Sequence, residues 1–289
     1  MTDSIARGIV IMVIAVAFFS FMDAVLKVLA EHYPPLQVSA LRGAASLPFV
    51  LVPVLLMGNW RDLVPVRWGL HLVRGLLALL MVWGFVQAVS ILSLADAYAV
   101  FFAAPLLVAA LSVPLLGEQV GVRRWTAIGI GFAAVLFMLR PGGAMAVNVG
   151  LLAALLSATA YALSAISVRV LTRTDTTTSM VFSFLVLLTL FAGLLAIPGW
   201  VPLRAADWLW LLALGGFGAI AQACLTEAFR RAPAAAIAPF EYTALLWGIG
   251  IDWVIWQVLP GSRVLIGGSV IAASGLFLLW RESQAAGQK

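Results

Sequence analysis

The chain has 289 residues, 64% of them hydrophobic and only 10% charged, with a mean hydropathy of +1.10. A soluble globular protein is nearer half apolar and about a quarter charged, so a water-solvated globule is excluded and lipid must solvate most of the surface. The net charge of +5 does not signal nucleic-acid binding, because the basic residues lie in short connections between apolar runs, and the single cysteine, Cys224, excludes an internal disulfide.

Apolar runs of ~20 residues, the length a bilayer requires, predict ten transmembrane helices. The first, 8–30, is too long for a signal-peptide core. It carries Phe19, with Asp23 and Lys27 spaced i, i+4 on one face. The second, 36–57, carries Arg42. The third, 71–92, opens on His71, which reads as an interfacial residue, and holds Trp83 and Gln87. Tyr98 and Phe101 lie in the fourth, 95–116, and the fifth covers 123–140. Ser157, Tyr161, Ser164 and Arg169 fall in the sixth, 148–170. The seventh is 178–198, and the eighth, 206–228, contains Gln222. The ninth, 235–256, is apolar yet carries Glu241 and Asp252 beside Tyr242 and Trp247; the tenth is 263–281. With a cytoplasmic N-terminus, 12 basic residues, Arg74 and Arg169 among them, fall on the cytoplasmic side. Three, Arg140, Arg204 and Arg263, fall on the other. Both termini are therefore expected in the cytoplasm.

The two halves, 1–142 and 143–289, are alike. "LADAYAVFFAAPLLVAALSVPLLGEQVGVRRW" from Leu94 aligns with "PAAAIAPFEYTALLWGIGIDWVIWQVLPGSRV" from Pro233, placing Ala95 on Ala234 and Phe101 on Phe240. In the first spans the register places Lys27 on Arg169. Five spans per half is an odd number, so the second copy enters the membrane from the opposite side. Two inverted five-helix repeats are an architecture of alternating-access transporters, with the substrate site near the midplane.

The segment Pro105–Glu118, "PLLVAALSVPLLGE", followed by Trp125 and Gly129, and the later "EYTALLW" resemble the two repeats of the drug/metabolite transporter superfamily, EamA type. "PFEYTALLWGIGIDWVIWQ" is most similar to its aromatic amino-acid exporter branch, although Gln257 stands where the second copy usually ends in Glu. The resemblance implies a multi-pass secondary transporter of the cell inner membrane that exports small metabolites, aromatic and other neutral amino acids first. Carriage of a drug, nucleobase or sugar derivative is the alternative, and a non-transporting structural membrane protein the less favoured one.

No enzyme, phosphate-loop or metal-ligand motif occurs, so no catalysis, metal or cofactor is expected. The expected partners are the lipid bilayer and a small solute, without nucleic acid. Nine of the 11 tryptophans lie at span ends, as interfacial belts require. Trp83 and Trp247 are the exceptions, about 18 Å into their spans. A substrate site of aromatic faces with amides and hydroxyls between them is therefore expected from Phe19, Trp83, Gln87, Tyr98, Phe101, Tyr161, Ser164, Gln222, Tyr242 and Trp247. Asp23, Lys27 and Arg42 are expected to gate the outer mouth, and Arg169 and Glu241 the inner one. Glu241 reads equally as a latch, a proton site or a packing residue. Asp252 is expected at the outer edge, paired with Arg263. No mid-depth pair of Arg or Lys is evident, so multiply charged anions are expected to be poor substrates.

Overall fold

The computed structural model describes residues 2–58, 60–116, 149–231 and 238–259, with scattered residues between 125 and 137 and between 261 and 277. The predicted fifth and tenth spans, and Glu118, Arg123, Arg124 and Arg140, lie largely or wholly outside the described residues. The elements described are helical: α1 Thr2–Ala30, α2 Pro35–Leu56, α3 Trp68–Val89, α4 Leu94–Phe101, α5 Ala103–Leu116, α6 Val149–Leu171, α7 Thr177–Ala196, α8 Trp208–Arg231 and α9 Ala244–Ile251. Among the described residues, six helices (α1, α2, α3, α6, α7 and α8) are long and apolar enough to cross a membrane.

Local chemistry sets the helix ends. Pro35 opens α2 at a position whose N–H would have no helical partner anyway. Ser93 and Thr176 cap α4 and α7, accepting from the backbone N–H of Asp96 and Ser179 at 3.0 Å. The fourth predicted span is broken after Phe101, ahead of Pro105, which has no N–H to offer the carbonyl of residue 101. The ninth is not one helix. A 3-10 segment, Ala238–Thr243, leads into α9, and a π turn, Asp252–Trp256, follows it. Gln257, at φ 55°, ends that turn in the left-handed region.

The main helix contacts join one half of the chain to the other. α1 packs on α8 and α3 on α6, α2 on α8 and α3 on α7, and α2 crosses α7. Glycine permits the close approaches. A Cβ on Gly75 would run into Leu187 and Phe191; one on Gly215 would collide with the Ala45 carbonyl and with Phe49. The register that places Lys27 on Arg169 also places Ala45 on Leu187 and Phe49 on Phe191. The same register pairs Gly43 with Leu185, and Gly43 lies directly against the Leu185 carbonyl where α2 crosses α7.

Polar clasps close the α2–α7 joint at both ends. At one end the Tyr33 hydroxyl donates to Asp207 Oδ2 at 2.6 Å and accepts the Arg204 N–H at 2.9 Å. Gln37 exchanges two hydrogen bonds with the backbone of Val201. At the other end Asp175 Oδ1 accepts the Val66 N–H at 2.8 Å and lies 2.9 Å from His71 Nε2. Tryptophans at helix ends are exposed, Trp60, Trp68, Trp200, Trp208, Trp210 and Trp253 among them, as expected of membrane-interface belts.

Candidate functional site

A cavity of about 150 Å³ lies between the two halves, lined from α1, α2, α3, α4, α6, α7, α8 and the segment leading into α9. An apolar cavity of that size admits a benzene ring. This one is not purely apolar. Phe19, Tyr98, Phe101, Tyr161, Ser164 and Gln222 line it, as the sequence leads one to expect, and so do Asp23, Arg42 and Glu241.

The aromatic wall is continuous. Phe101 lies 5.2 Å from the Tyr161 ring and 6.1 Å from Phe85, which stacks on Tyr98 at 5.9 Å. Each tyrosine hydroxyl binds a carboxylate. Tyr98 donates to Asp23 Oδ2 at 2.9 Å, and Tyr161 donates to Glu241 Oε1 at 2.9 Å. Each pair ties a residue of one helix to a residue of another across the cavity wall, so neither acid is an isolated buried charge. The Ser157 hydroxyl is used locally, donating to the Met81 carbonyl at 2.7 Å. Among the described residues, the amide of Gln222 and the guanidinium of Arg42 make no hydrogen bond.

Four of the expected aromatic and amide residues lie elsewhere. Trp83 and Gln87 are half-buried and outside the cavity lining. α3 turns Arg74, Met81 and Phe85 inward, and at 3.6 residues per turn position 83 lies on the opposite side from 81 and 85. Position 87 follows 83 by one turn. Trp247 is 37% exposed and rests on Phe21, ring centroids 5.9 Å apart, because α9 turns Gly248 inward against Tyr98. Tyr242 is buried behind the wall, edge-on to Phe102 at 5.1 Å.

The expected outer charge network also divides differently. Lys27 does not join Asp23 and Arg42; its Nζ pairs with Asp252 Oδ1 at 3.0 Å and sits 4.3 Å over the Trp256 ring. Asp252 is fully buried, and its Oδ2 accepts the Ala95 N–H at the start of α4. It is not an edge residue paired with Arg263, which lies over the Phe137 ring instead. A carboxylate at a helix N-terminus with a lysine on its other oxygen is a brace joining α1, α4 and the π turn. Arg169 is half-buried and is not among the lining residues, so it does not meet Glu241 in the cavity wall.

Two features escape the sequence reading. Arg74, taken for a cytoplasmic-side arginine, is 3% exposed and lines the cavity. Its Nη1 donates to the Met180 carbonyl at 2.7 Å and its guanidinium lies 5.1 Å from the Phe184 ring. Two arginines thus line the cavity, so the absence of an arginine or lysine pair is no longer a ground for expecting multiply charged anions to be poor substrates. The available signal was position: Arg74 lies six residues, about 9 Å, inside α3. His71, in the first turn of α3, is buried, with Nδ1 2.6 Å from the Ser183 hydroxyl and Nε2 on Asp175. This Ser–His–Asp row lines no part of the cavity, and Ser183 Oγ also lies 2.7 Å from the Ser179 carbonyl, so it is a fastening of α3 to α7.

With this geometry in place, comparison with known proteins gives the family. The model of the EamA-like transporter family matches twice, over residues 6–140 and 148–281. The chain is similar to a riboflavin transporter of Vibrio cholerae, 27% identical, with 96% of this chain and 94% of that one aligned. It is similar to the pseudopaline exporter CntI of Pseudomonas aeruginosa, 27% identical over 96% and 97%. It also resembles an S-adenosylmethionine uptake transporter of Rickettsia prowazekii, 24% identical over 98% and 96%. A solved crystal structure of a protein 20% identical has the same fold, with a TM-score of 0.69 over 96% of this chain and 98% of its own. The chain belongs to the EamA-like transporter family: it is a multi-pass membrane transporter of small metabolites and not an enzyme.

Proposed function

We propose that this EamA-like family member carries its metabolite by alternating access, with the cavity between the halves as the substrate site. The single observation behind the reading is the set of polar and charged side chains, buried Asp23, Arg42, Arg74 and Gln222 with half-buried Glu241, that both halves turn into one aromatic-walled cavity. Hydrocarbon offers such groups no partner, and ionisable side chains inside a membrane are retained where a solute path needs them. Two inverted five-helix repeats, ten transmembrane helices in all, are supported by the family match to each half and by the matched contacts at Gly75 and Gly215. Both termini are placed in the cytoplasm, on the basic-residue asymmetry.

The substrate is a small organic metabolite of wider class than the free neutral amino acids. Relatives named for riboflavin, pseudopaline and S-adenosylmethionine support that class, and they include both an exporter and uptake transporters, so membership carries no direction. The test is solute uptake by the purified protein in liposomes. The panel comprises those three relatives' solutes, phenylalanine, tryptophan, threonine, and a hexose phosphate. We expect saturable uptake of at least one charged organic metabolite, with a higher half-saturating concentration in Phe101→Ala. Uptake confined to neutral amino acids would return the substrate to that class. No uptake of any solute would refute transport through this cavity.

A further inference from the structure

We infer that Arg42 and Arg74 form a carboxylate-binding subsite in the cavity, so that the metabolite carried presents a carboxylate there; the inference deepens the transport reading above and rests on it. A guanidinium has five N–H donors in a planar fork. Arg74 spends one of them on Met180, its flat face lies over Phe184, and its buried Nε has no partner. No carboxylate is paired with it among the described residues. Arg42 is 6% exposed and lines the same cavity. The residue after it, Gly43, lies on the Leu185 carbonyl, and Leu185 follows the Phe184 on which Arg74 rests.

Asp23 is the carboxylate that faces Arg42, and one of its oxygens is already engaged by Tyr98. Arg42 therefore has one facing carboxylate, already partly engaged, and Arg74 has none among the described residues. A buried charge without its partner is costly, and a fork of N–H donors matches a carboxylate in shape as well as sign. A substrate carboxylate supplies what the wall lacks. Glu241 holds Tyr161 through one oxygen and suits a donor or cation elsewhere on the same molecule. Asp23 and Glu241 together disfavour a dianionic phosphate in a space that takes a single ring.

The experiment is calorimetric binding to the full-length protein in nanodiscs at neutral pH, with no gradient present. The probes are benzoate with benzamide, nicotinate with nicotinamide, and phenyl phosphate. Wild-type protein should bind each acid roughly ten- to a hundredfold more tightly than its amide, as one charged hydrogen bond implies. The ratio should fall towards one in Arg74→Gln and in Arg42→Gln. Arg74→Lys, which keeps the charge and the reach to Met180, should retain part of it and shows that loss in the glutamine variant is not loss of fold. Equal binding of acid and amide by the wild type, no binding of either at millimolar concentration, or an unchanged ratio in both glutamine variants overturns the subsite. Tighter binding of phenyl phosphate than of benzoate overturns the carboxylate. A protein that prefers the acids yet takes up no solute in liposomes fails as a transporter and keeps the subsite. One that transports but shows no preference does the reverse.

Discussion

At the scale of single residues, depth and direction prove to be separate properties, and only depth is written plainly in the sequence. Counting residues from a helix end puts Trp83 and Trp247 well inside their spans. Which way each ring points depends on what the helix packs against, and α3 turns Phe85 rather than Trp83 to the cavity. Phe101 lines the cavity between Tyr161 and Phe85, and a ring face offered to the solute there is worth about 0.5–1.5 kcal/mol to an aromatic group packed on it. Phe101→Ala should therefore weaken solute binding by about tenfold, whereas Trp83→Ala and Trp247→Ala should leave it within about twofold, since neither ring reaches the cavity. Titration of each purified variant with the solute identified by the uptake panel checks this. Weakening by either tryptophan variant equal to that of Phe101→Ala would put those rings back in the site. The same distinction explains Arg74. Its proximity to a basic loop hid the fact that a residue six positions into a helix can be buried.

Elements are held together by polar contacts that no local pattern announces, because their partners lie far apart in the chain. Lys27 and Asp252 are 225 positions apart and share one ion pair. Removing one partner of a buried pair leaves an uncompensated charge and costs about 3–5 kcal/mol, whereas replacing both is often close to neutral. Lys27→Met should therefore lower the thermal unfolding temperature markedly. Lys27→Met combined with Asp252→Asn should recover most of the loss, since Asn can still accept the Ala95 N–H. A double variant as unstable as the single would mean that the helices are held by other contacts. The Asp175 clasp gives a pH dependence. Burial pushes its carboxyl up, but hydrogen bonds from Thr174, His71 and the Val66 N–H outweigh this and hold it below the ordinary 3.8. A carboxyl lowered by folding stabilises the fold at higher pH and ceases to do so as the pH falls through its folded value. The gap in unfolding temperature between wild type and Asp175→Asn should accordingly be full at neutral pH and close as the pH falls through 3.8 and below. A gap independent of pH would show that the charge of Asp175 contributes nothing to the clasp.

For the whole molecule, the membrane class, the two halves and the six long described helices were legible, because hydrophobic length is set by the bilayer and repeats survive as register. The break at Phe101, the π turn at Asp252 and the turning of Arg42 and Arg74 into one cavity were not, since each depends on packing between halves. The cavity matters functionally only if it opens in turn to both sides, and labelling of one lining residue tests that directly. Ser164 lines the cavity and is 6% exposed. In a Cys224→Ser background, Ser164→Cys should react with a membrane-impermeant thiol reagent from either face of sealed vesicles, more slowly when transported solute is present. Reaction from one face alone, unchanged by solute, would contradict alternating access through this cavity.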